Sequence, residues 1–193
     1  MNLFARHRNA VVVAALATLM VLTRFHHFGS VTHLPDASWA IFLAGGYLLQ
    51  RLGWFALFSG LAVVIDYLAI TRFGVSGFCV SAAYGFLLPA YGALWFGGRW
   101  LGGRKPAGWR GLPVVAAVVV ASVGAAFLIS SGSFYWLSGR IGETSVAGFL
   151  AQSARYFPSY LAVTAGYVAA FVAIRYAFIA LSRHQAGPRQ RHV

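Results

Sequence analysis

Apolar runs of bilayer length recur along the whole of this 193-residue chain, and they constrain its fold more than any other feature. Hydrophobic residues make up 60% of the sequence and charged residues only 9%, whereas a soluble domain carries roughly 25% charge. Most of the surface therefore cannot face water. The pattern predicts an all-α membrane protein that crosses the bilayer several times, rather than a globular domain with one anchor.

Six apolar runs are candidate transmembrane helices, because a hydrocarbon core of about 30 Å needs about 20 apolar residues per helix. Only a tight turn predicted at Gln50 to Gly53 separates the second run from the third. Pro89 predicts a kink in the fourth helix, and Pro158 is compatible with the first turn of the sixth. The predicted spans, which form a single six-helix domain, are residues 9–25, 37–50, 53–71, 80–101, 111–130 and 152–181.

Basic residues lie mainly between these runs, and their distribution predicts which ends of the helices face the cytoplasm. If both termini are cytoplasmic, eleven of the 15 Lys and Arg residues lie on the inner side, which leaves four outside. This asymmetry follows the positive-inside rule and explains the net charge of +12 better than nucleic-acid binding does. The four outer cations are Arg24, Arg72, Arg140 and Arg155, and the three acids, all on the outer side or in the outer half of a span, are Asp36, Asp66 and Glu143.

The connectors between the runs are too short to form a soluble domain. The longest polar connectors are predicted at residues 102–110 inside and 130–148 outside. They contain no Walker A phosphate loop, so we expect no ATP site in this chain.

Polar and reactive side chains concentrate on the predicted outer side. Histidines occupy the first outer loop, Asp66 lies near the outer end of the third helix, and Cys79 opens the fourth. Such a concentration predicts a binding pocket that faces outward. The residues of this predicted pocket region are His26, His27, His33, Asp36, Asp66, Cys79, Tyr84, Arg155, Tyr156 and Tyr160.

Asp66 lies in an otherwise apolar stretch, Val-Val-Ile-Asp-Tyr-Leu. An acid at the centre of a membrane helix costs about 2.5–3.5 kcal/mol on insertion scales, and less near the interface. Two interpretations follow. Asp66 forms an ion pair with Arg72 or Arg155, or it lines the pocket and accepts hydrogen bonds from the amides of a ligand.

Cys79 is the only cysteine, so it cannot form an intramolecular disulfide and serves packing, reactivity or metal ligation. A helix that starts at Val80 would place the sulfur near a helix N-terminus, where the dipole favours the thiolate. One cysteine does not make a zinc or iron–sulfur site. It can supply one axial ligand to a metal that a macrocycle already holds, such as a haem or a corrinoid.

The chain resembles the substrate-binding S-components of energy-coupling-factor vitamin transporters, and more narrowly the BtuM family of cobalamin transporters. The residues that carry the resemblance are His27 in His-His-Phe-Gly, Asp66 in Val-Ile-Asp-Tyr, Cys79 in Gly-Phe-Cys-Val-Ser and Tyr84 in Ala-Ala-Tyr-Gly. The resemblance implies uptake of cobalamin across the inner membrane of a bacterium. It also implies that Cys79 ligates the corrin cobalt and that His27, Asp66 and Tyr84 surround the corrin.

The same resemblance leaves the energy source open. Some members of the family work without an energising module, whereas other S-components meet a coupling subunit through an alanine motif. Ala10 and Ala14 resemble that motif loosely. A thiolate on the upper face of the corrin must displace the ligand already there, so we expect Cys79 to remove cyanide from cyanocobalamin.

Two other classes of function compete with transport. The first is a haem-binding or electron-transfer subunit, and the second is a structural subunit without cargo. Haem b bound between helices usually has histidines that face each other from different spans, whereas the histidines of this chain, apart from those near the polar termini, lie between residues 26 and 33. This distribution argues against haem.

Overall fold

The computed structural model describes residues 3–24, 34–106 and 108–185, and every regular element in these ranges is helical. The side chains of residues 3–5, Cys79, 178–180 and 182–185 lie outside the description. The prediction of an all-α chain with six helices is confirmed for the described residues. The helices are α1 (Leu3–Arg24), α2 (Ser38–Leu49), α3 (Leu52–Phe73), α4 (Leu87–Arg104), α5 (Leu112–Leu137) and α6 (Val146–Gln185), and short 3-10 turns occur at Gly77–Cys79, Ala82–Phe86 and Trp109–Gly111.

Three helical segments in the described part of the chain are long and apolar enough to cross a membrane. They are Leu52–Phe73, Trp109–Leu137 and Val146–Ala177. Helix α2 is apolar but has only 12 residues, so at a rise of 1.5 Å per residue it is about 18 Å long and shorter than the hydrocarbon core. The composition and these segments indicate a membrane protein, while six spans with cytoplasmic termini remain a prediction.

Helix α2 forms the centre of the bundle. Ten of its 12 residues are buried, and it packs against α1, α3, α4 and α6. A helix that is apolar around its whole circumference avoids water only when other elements surround it. The central position of α2 therefore follows from its sequence, Ser-Trp-Ala-Ile-Phe-Leu-Ala-Gly-Gly-Tyr-Leu-Leu.

Aromatic rings fill the space between α2, α3 and α4. Phe42 stacks on Tyr91 with ring centroids 4.1 Å apart, and it meets Phe58 edge-on at 6.5 Å. Phe55 packs edge-on against the fully buried Trp95 at 5.7 Å. Offset and edge-on pairs of this kind add about 0.5–1.5 kcal/mol beyond the burial of their area.

Glycines allow α2 and α4 to approach with their backbones in contact. A Cβ atom on Gly98 of α4 would overlap the carbonyl oxygen of Leu43 in α2, and one on Gly46 would overlap the carbonyl oxygen of Trp95. A side chain at either position would therefore push the two helices apart, as at the small-residue interfaces of membrane helices.

We predict that Gly98→Ala destabilises the bundle by at least about 1–3 kcal/mol, because overpacking here displaces backbone rather than a flexible side chain. Gly103→Ala is the matched control on the same helix, since a Cβ atom there meets nothing within 4 Å. This control is expected to be neutral or to stabilise by up to about 1 kcal/mol. Thermal unfolding of the two variants in detergent measures the difference, and equal midpoints would contradict the close packing of α2 and α4.

The turn predicted between the second and third helices is confirmed, whereas the predicted start of the fourth helix is wrong. Helix α2 ends at Leu49, Gln50 adopts a left-handed conformation (φ 60°), and α3 starts at Leu52. The fourth helix starts at Leu87 rather than at residue 80. Pro89 has no N–H to bond the Gly85 carbonyl, so it lies in the first turn, where an N–H lacks a helical partner anyway. Pro89 thus lies at the start of α4 rather than in the middle of a helix over residues 80–101.

The last two helices are longer than predicted. Helix α5 continues to Leu137, and α6 starts at Val146 and runs for 40 residues. Pro158 therefore lies inside α6 and not in its first turn. The connector between the two helices is reduced to residues 138–145.

Candidate functional site

A buried ion pair joins α1 to α3. Arg24 is 3% exposed and Asp66 is 4% exposed. The Arg24 Nε donates to Asp66 Oδ1 at 2.8 Å, and Nη2 donates to Oδ2 at 2.7 Å. This two-point geometry is the strongest form of a charge-assisted hydrogen bond between side chains. The sequence predicts Arg72 or Arg155 as the ion-pair partner of Asp66, whereas the structure pairs it with Arg24.

Tyr84 contributes a third hydrogen bond to the same carboxylate. Its hydroxyl donates to Asp66 Oδ2 at 2.7 Å from the 3-10 turn Ala82–Phe86. Two of the residues predicted for the pocket, Asp66 and Tyr84, are thus in direct contact. Both oxygens of the Asp66 carboxylate are already hydrogen-bonded within the protein, so Asp66 holds Tyr84 and Arg24 in place.

A second carboxylate, that of Asp36, extends the cluster to the start of α2. Arg24 Nη1 lies 3.3 Å from Asp36 Oδ2 and donates to Ser38 Oγ at 2.9 Å. Ser38 in turn donates from its backbone N at 2.9 Å and from Oγ at 2.6 Å to Asp36 Oδ1. Asp36 therefore satisfies an N–H group at the N-terminus of α2, where a negative charge is favourable. We call Arg24, Asp36, Ser38, Asp66 and Tyr84 the Arg24 network.

Two further hydrogen bonds fix the segment that enters α2. The backbone N of Ala37 donates to Thr23 Oγ1 at 3.1 Å, and the Tyr167 hydroxyl of α6 donates to the Pro35 carbonyl at 2.7 Å. The segment is thus held by α1 on one side and by α6 on the other. Four helices and the 3-10 turn that holds Tyr84 consequently meet at this end of the bundle.

In the Arg24 network one guanidinium contacts two carboxylates, those of Asp36 and Asp66. Ionisable groups inside membrane proteins are costly and usually face one another or a functional cavity. The sequence analysis places Asp36 in the predicted pocket region but does not identify Arg24 as a site residue. Arg24 and Asp66 both lie at the predicted outer ends of apolar helices, and this shared position could have identified Arg24 as the partner of Asp66.

A separate open groove lies between the segment after α3 and the helices α5 and α6. Its volume is about 490 Å³. Phe78 and Phe134 pack at 5.7 Å on one wall, and Arg155 lies over the Tyr156 ring at 5.5 Å. The groove thus combines apolar and aromatic surface with two polar side chains. Its lining residues are Phe78, Phe134, Ile141, Ala151, Gln152, Arg155 and Tyr156.

Cys79 directly follows Phe78 of the groove and ends the 3-10 turn Gly77–Cys79. Its side chain is outside the described part of the structure. Helix α4 starts eight residues later, at Leu87, so the predicted position of Cys79 at the N-terminus of the fourth helix is wrong. The dipole of that helix therefore does not favour a thiolate at Cys79.

Residues 25–33, which form most of the predicted first outer loop, are outside the described residues, and they include the predicted pocket residue His27 together with His26 and His33. Among the residues that the structure describes, no group of three or more His, Cys, Asp and Glu side chains could hold a metal ion. A metal bound with only Cys79 from this part of the chain would need its other ligands from elsewhere.

No protein-family model matches the chain, and a comparison with curated proteins also gave no match. The likeness to the BtuM family therefore rests on the residues quoted from the sequence. Cobalamin transport is accordingly a proposal.

Proposed function

We propose that this chain takes up cobalamin across the bacterial inner membrane. In this proposal the six helices span the bilayer with both termini in the cytoplasm, and the corrinoid binds at the outer end with Cys79 as the axial ligand of its cobalt. The all-helical fold and the three long apolar helices support the membrane part of the proposal. The cobalt is part of the cargo and not a resident cofactor.

The observation that carries the proposal is the groove beside Cys79. Phe78, the residue before Cys79, and Arg155, a predicted pocket residue, line the same groove. Its volume is about 490 Å³, so it would hold only part of a corrinoid. Because the groove is open, a corrinoid larger than this volume can extend beyond it.

The lining of the groove fits the two chemical faces of a corrinoid. The aromatic rings of Phe78, Phe134 and Tyr156 suit the apolar ring system, and Gln152 and Arg155 can donate hydrogen bonds to the amide carbonyls of its rim. Gln152 and Arg155 thus orient the corrinoid, while Cys79 bonds to its cobalt.

In this proposal the Arg24 network positions residues and does not bind the cargo through Asp66. The Asp66 carboxylate accepts hydrogen bonds from Arg24 and Tyr84. It therefore fixes the 3-10 turn Ala82–Phe86, which follows Cys79 in the chain. The amide carbonyls of the ligand accept hydrogen bonds from Gln152 and Arg155 of the groove instead.

Ligand exchange at the cobalt of cyanocobalamin needs no redox partner. The thiolate sulfur of Cys79 forms a bond to cobalt, the cobalt–carbon bond breaks, and cyanide leaves with the electron pair of that bond. Cobalt stays Co(III), and the proton of the thiol is taken up by the released cyanide. A soft thiolate is a suitable ligand for this metal.

We predict that Arg155→Met weakens corrinoid binding by roughly ten- to a hundredfold, because a hydrogen bond from a charged group contributes about 1.5–3 kcal/mol. Arg72→Met is the matched control, since it removes an exposed arginine that is not among the groove residues. Titration of the purified variants with cyanocobalamin measures both affinities. Equal affinities of the two variants for cyanocobalamin would show that Arg155 does not contribute to corrinoid binding.

Transport is tested by complementation of a bacterial strain that lacks its own cobalamin uptake. Wild-type protein is expected to restore growth on scarce cobalamin, and Cys79→Ala is expected to leave growth at the level of the empty vector. Wild-type protein that inserts into the membrane, gives no growth and binds no cobalamin when purified would overturn the proposal. A Soret band in the purified protein would instead favour the haem-binding alternative.

A further inference from the structure

Basic and aromatic side chains cover the end of the bundle opposite the Arg24 network. All six cations in this group are exposed on the described structure. They come from the turn between α2 and α3, from α4 and the connector after it, and from α6. We call this surface the basic end, and it comprises Arg51, Arg99, Arg104, Lys105, Arg110 and Arg175.

Contacts between the helices place these residues at one end. Gly102 of α4 packs against Tyr47 and Gln50 at the end of α2, so Arg104 and Arg51 belong to neighbouring segments. The Arg175 guanidinium donates to the Tyr47 hydroxyl and lies over its ring. The connector after α4 returns to the start of α5, where Gly111 packs on Pro106 and places Arg110 beside them.

No acid of the chain lies at the basic end. Helix α3 starts there at Leu52 and reaches Asp66 14 residues later, which is about 21 Å along the helix. Asp36 precedes α2 and Glu143 follows α5, so each lies beyond the opposite end of a helix that touches the basic end. Among the described residues, the six cations therefore have no Asp or Glu side chain to neutralise them.

Two arginines of the basic end are paired with exposed tryptophans. The Arg104 guanidinium lies 4.2 Å from the centre of the Trp100 ring, and that of Arg110 lies 5.4 Å from the centre of the Trp109 ring. Trp109 is 76% exposed. Tryptophan is enriched at the level of lipid headgroups, because its ring is apolar and its N–H is polar.

Compensation of helix dipoles explains only part of this charge. Arg104 and Lys105 lie at the C-terminus of α4, where a cation is favourable. Arg51 and Arg110 lie at the N-terminal sides of α3 and α5, where the helix dipole repels a cation. The positions of Arg51 and Arg110 are thus electrostatically unfavourable within the isolated chain, and a bound external anion would make them favourable.

We propose that the basic end is a binding surface for the phosphate headgroups of anionic phospholipids, with the Arg104–Trp100 and Arg110–Trp109 pairs as its anchors. A headgroup phosphate provides the negative charge that the chain lacks here, and the acyl chains lie along the apolar surfaces of α3 and α5, which start at this end. The exposed tryptophans favour a lipid over a free phosphate ion. This inference does not depend on cobalamin as the cargo.

The test is titration of the detergent-solubilised protein with phosphatidylglycerol or phosphatidylcholine, with bound lipid counted by native mass spectrometry. Wild-type protein is expected to retain phosphatidylglycerol in preference to phosphatidylcholine. The double variant Arg104→Gln with Arg110→Gln is expected to lose about 25-fold in affinity for phosphatidylglycerol, because each basic residue near an anionic surface contributes about fivefold. Inorganic phosphate in excess is expected not to displace the lipid.

The matched control is Arg72→Gln with Arg140→Gln, which removes two exposed charges from the opposite end and is expected to keep the wild-type affinity. Equal losses in the two double variants would overturn the proposal, since net charge alone would then account for binding. Wild-type protein that does not distinguish the two lipids would overturn it without any variant. Displacement by inorganic phosphate would also overturn it, in favour of a site for the free ion.

Discussion

Arg24→Met is expected to lower the free energy of unfolding by about 3–5 kcal/mol, because it leaves a buried carboxylate without its charge partner. Asp66 is 4% exposed and accepts two hydrogen bonds from Arg24. Asp36 would lose its contact with the guanidinium in the same variant. Thermal unfolding in detergent, followed by helical circular dichroism, measures the loss.

A double variant separates the ion pair from the rest of the network. Arg24→Met combined with Asp66→Asn removes both charges, and we expect it to be more stable than Arg24→Met alone, since no isolated charge remains at position 66. Arg72→Met is the control for loss of an exposed arginine and is expected to stay within about 0.5 kcal/mol of the wild type. An Arg24→Met variant as stable as the wild type would show that the pair does not hold α1 to α3.

Cys79→Ser is expected to cause the largest functional loss. The serine hydroxyl is close in size to the thiol but does not ionise at neutral pH, so it cannot supply the thiolate that is proposed to bond to cobalt. We expect cobalamin affinity to fall by more than the 10–100-fold that removal of an outer-shell partner of a metal ligand typically costs. Titration of the purified proteins with cobalamin measures the change.

Ala82→Ser is the matched control for this variant. It adds a hydroxyl at an exposed position of the neighbouring 3-10 turn and keeps the thiol of Cys79. Cobalamin affinity is expected to be unchanged. Similar losses in Cys79→Ser and Ala82→Ser would mean that the segment tolerates no hydroxyl, and the evidence for ligation by Cys79 would be lost.

The sequence predicts the helices well because the signal for each helix is local. Apolar runs of sufficient length fold as helices when no water is present to satisfy the backbone, and the turn at Gln50 is short and polar enough to be recognised. The start of the fourth helix was harder to place, because residues 80–86 are as apolar as the helix that follows. A start at Leu87 places Pro89 in the first turn, where its missing N–H costs no helical hydrogen bond, although Pro158 inside α6 shows that this preference does not by itself decide a boundary.

The site was predictable only in part, for a different reason. Asp66 and Tyr84 are both predicted on the outer side of the membrane, which places them in one region, and their side chains are hydrogen-bonded in the structure. The partner of Asp66 is Arg24, 42 residues away in sequence, and such a pairing depends on how two helices are rotated and shifted against each other. That rotation is set by packing around α2, which no single helix pattern reveals.

Ligation of cobalt by Cys79 is tested most directly by the visible spectrum of cyanocobalamin mixed with the purified protein. We expect a shift of the corrin bands, with release of one equivalent of cyanide per bound corrinoid, and no shift with Cys79→Ala. A wild-type protein that leaves the spectrum of cyanocobalamin unchanged would show that Cys79 does not ligate the cobalt.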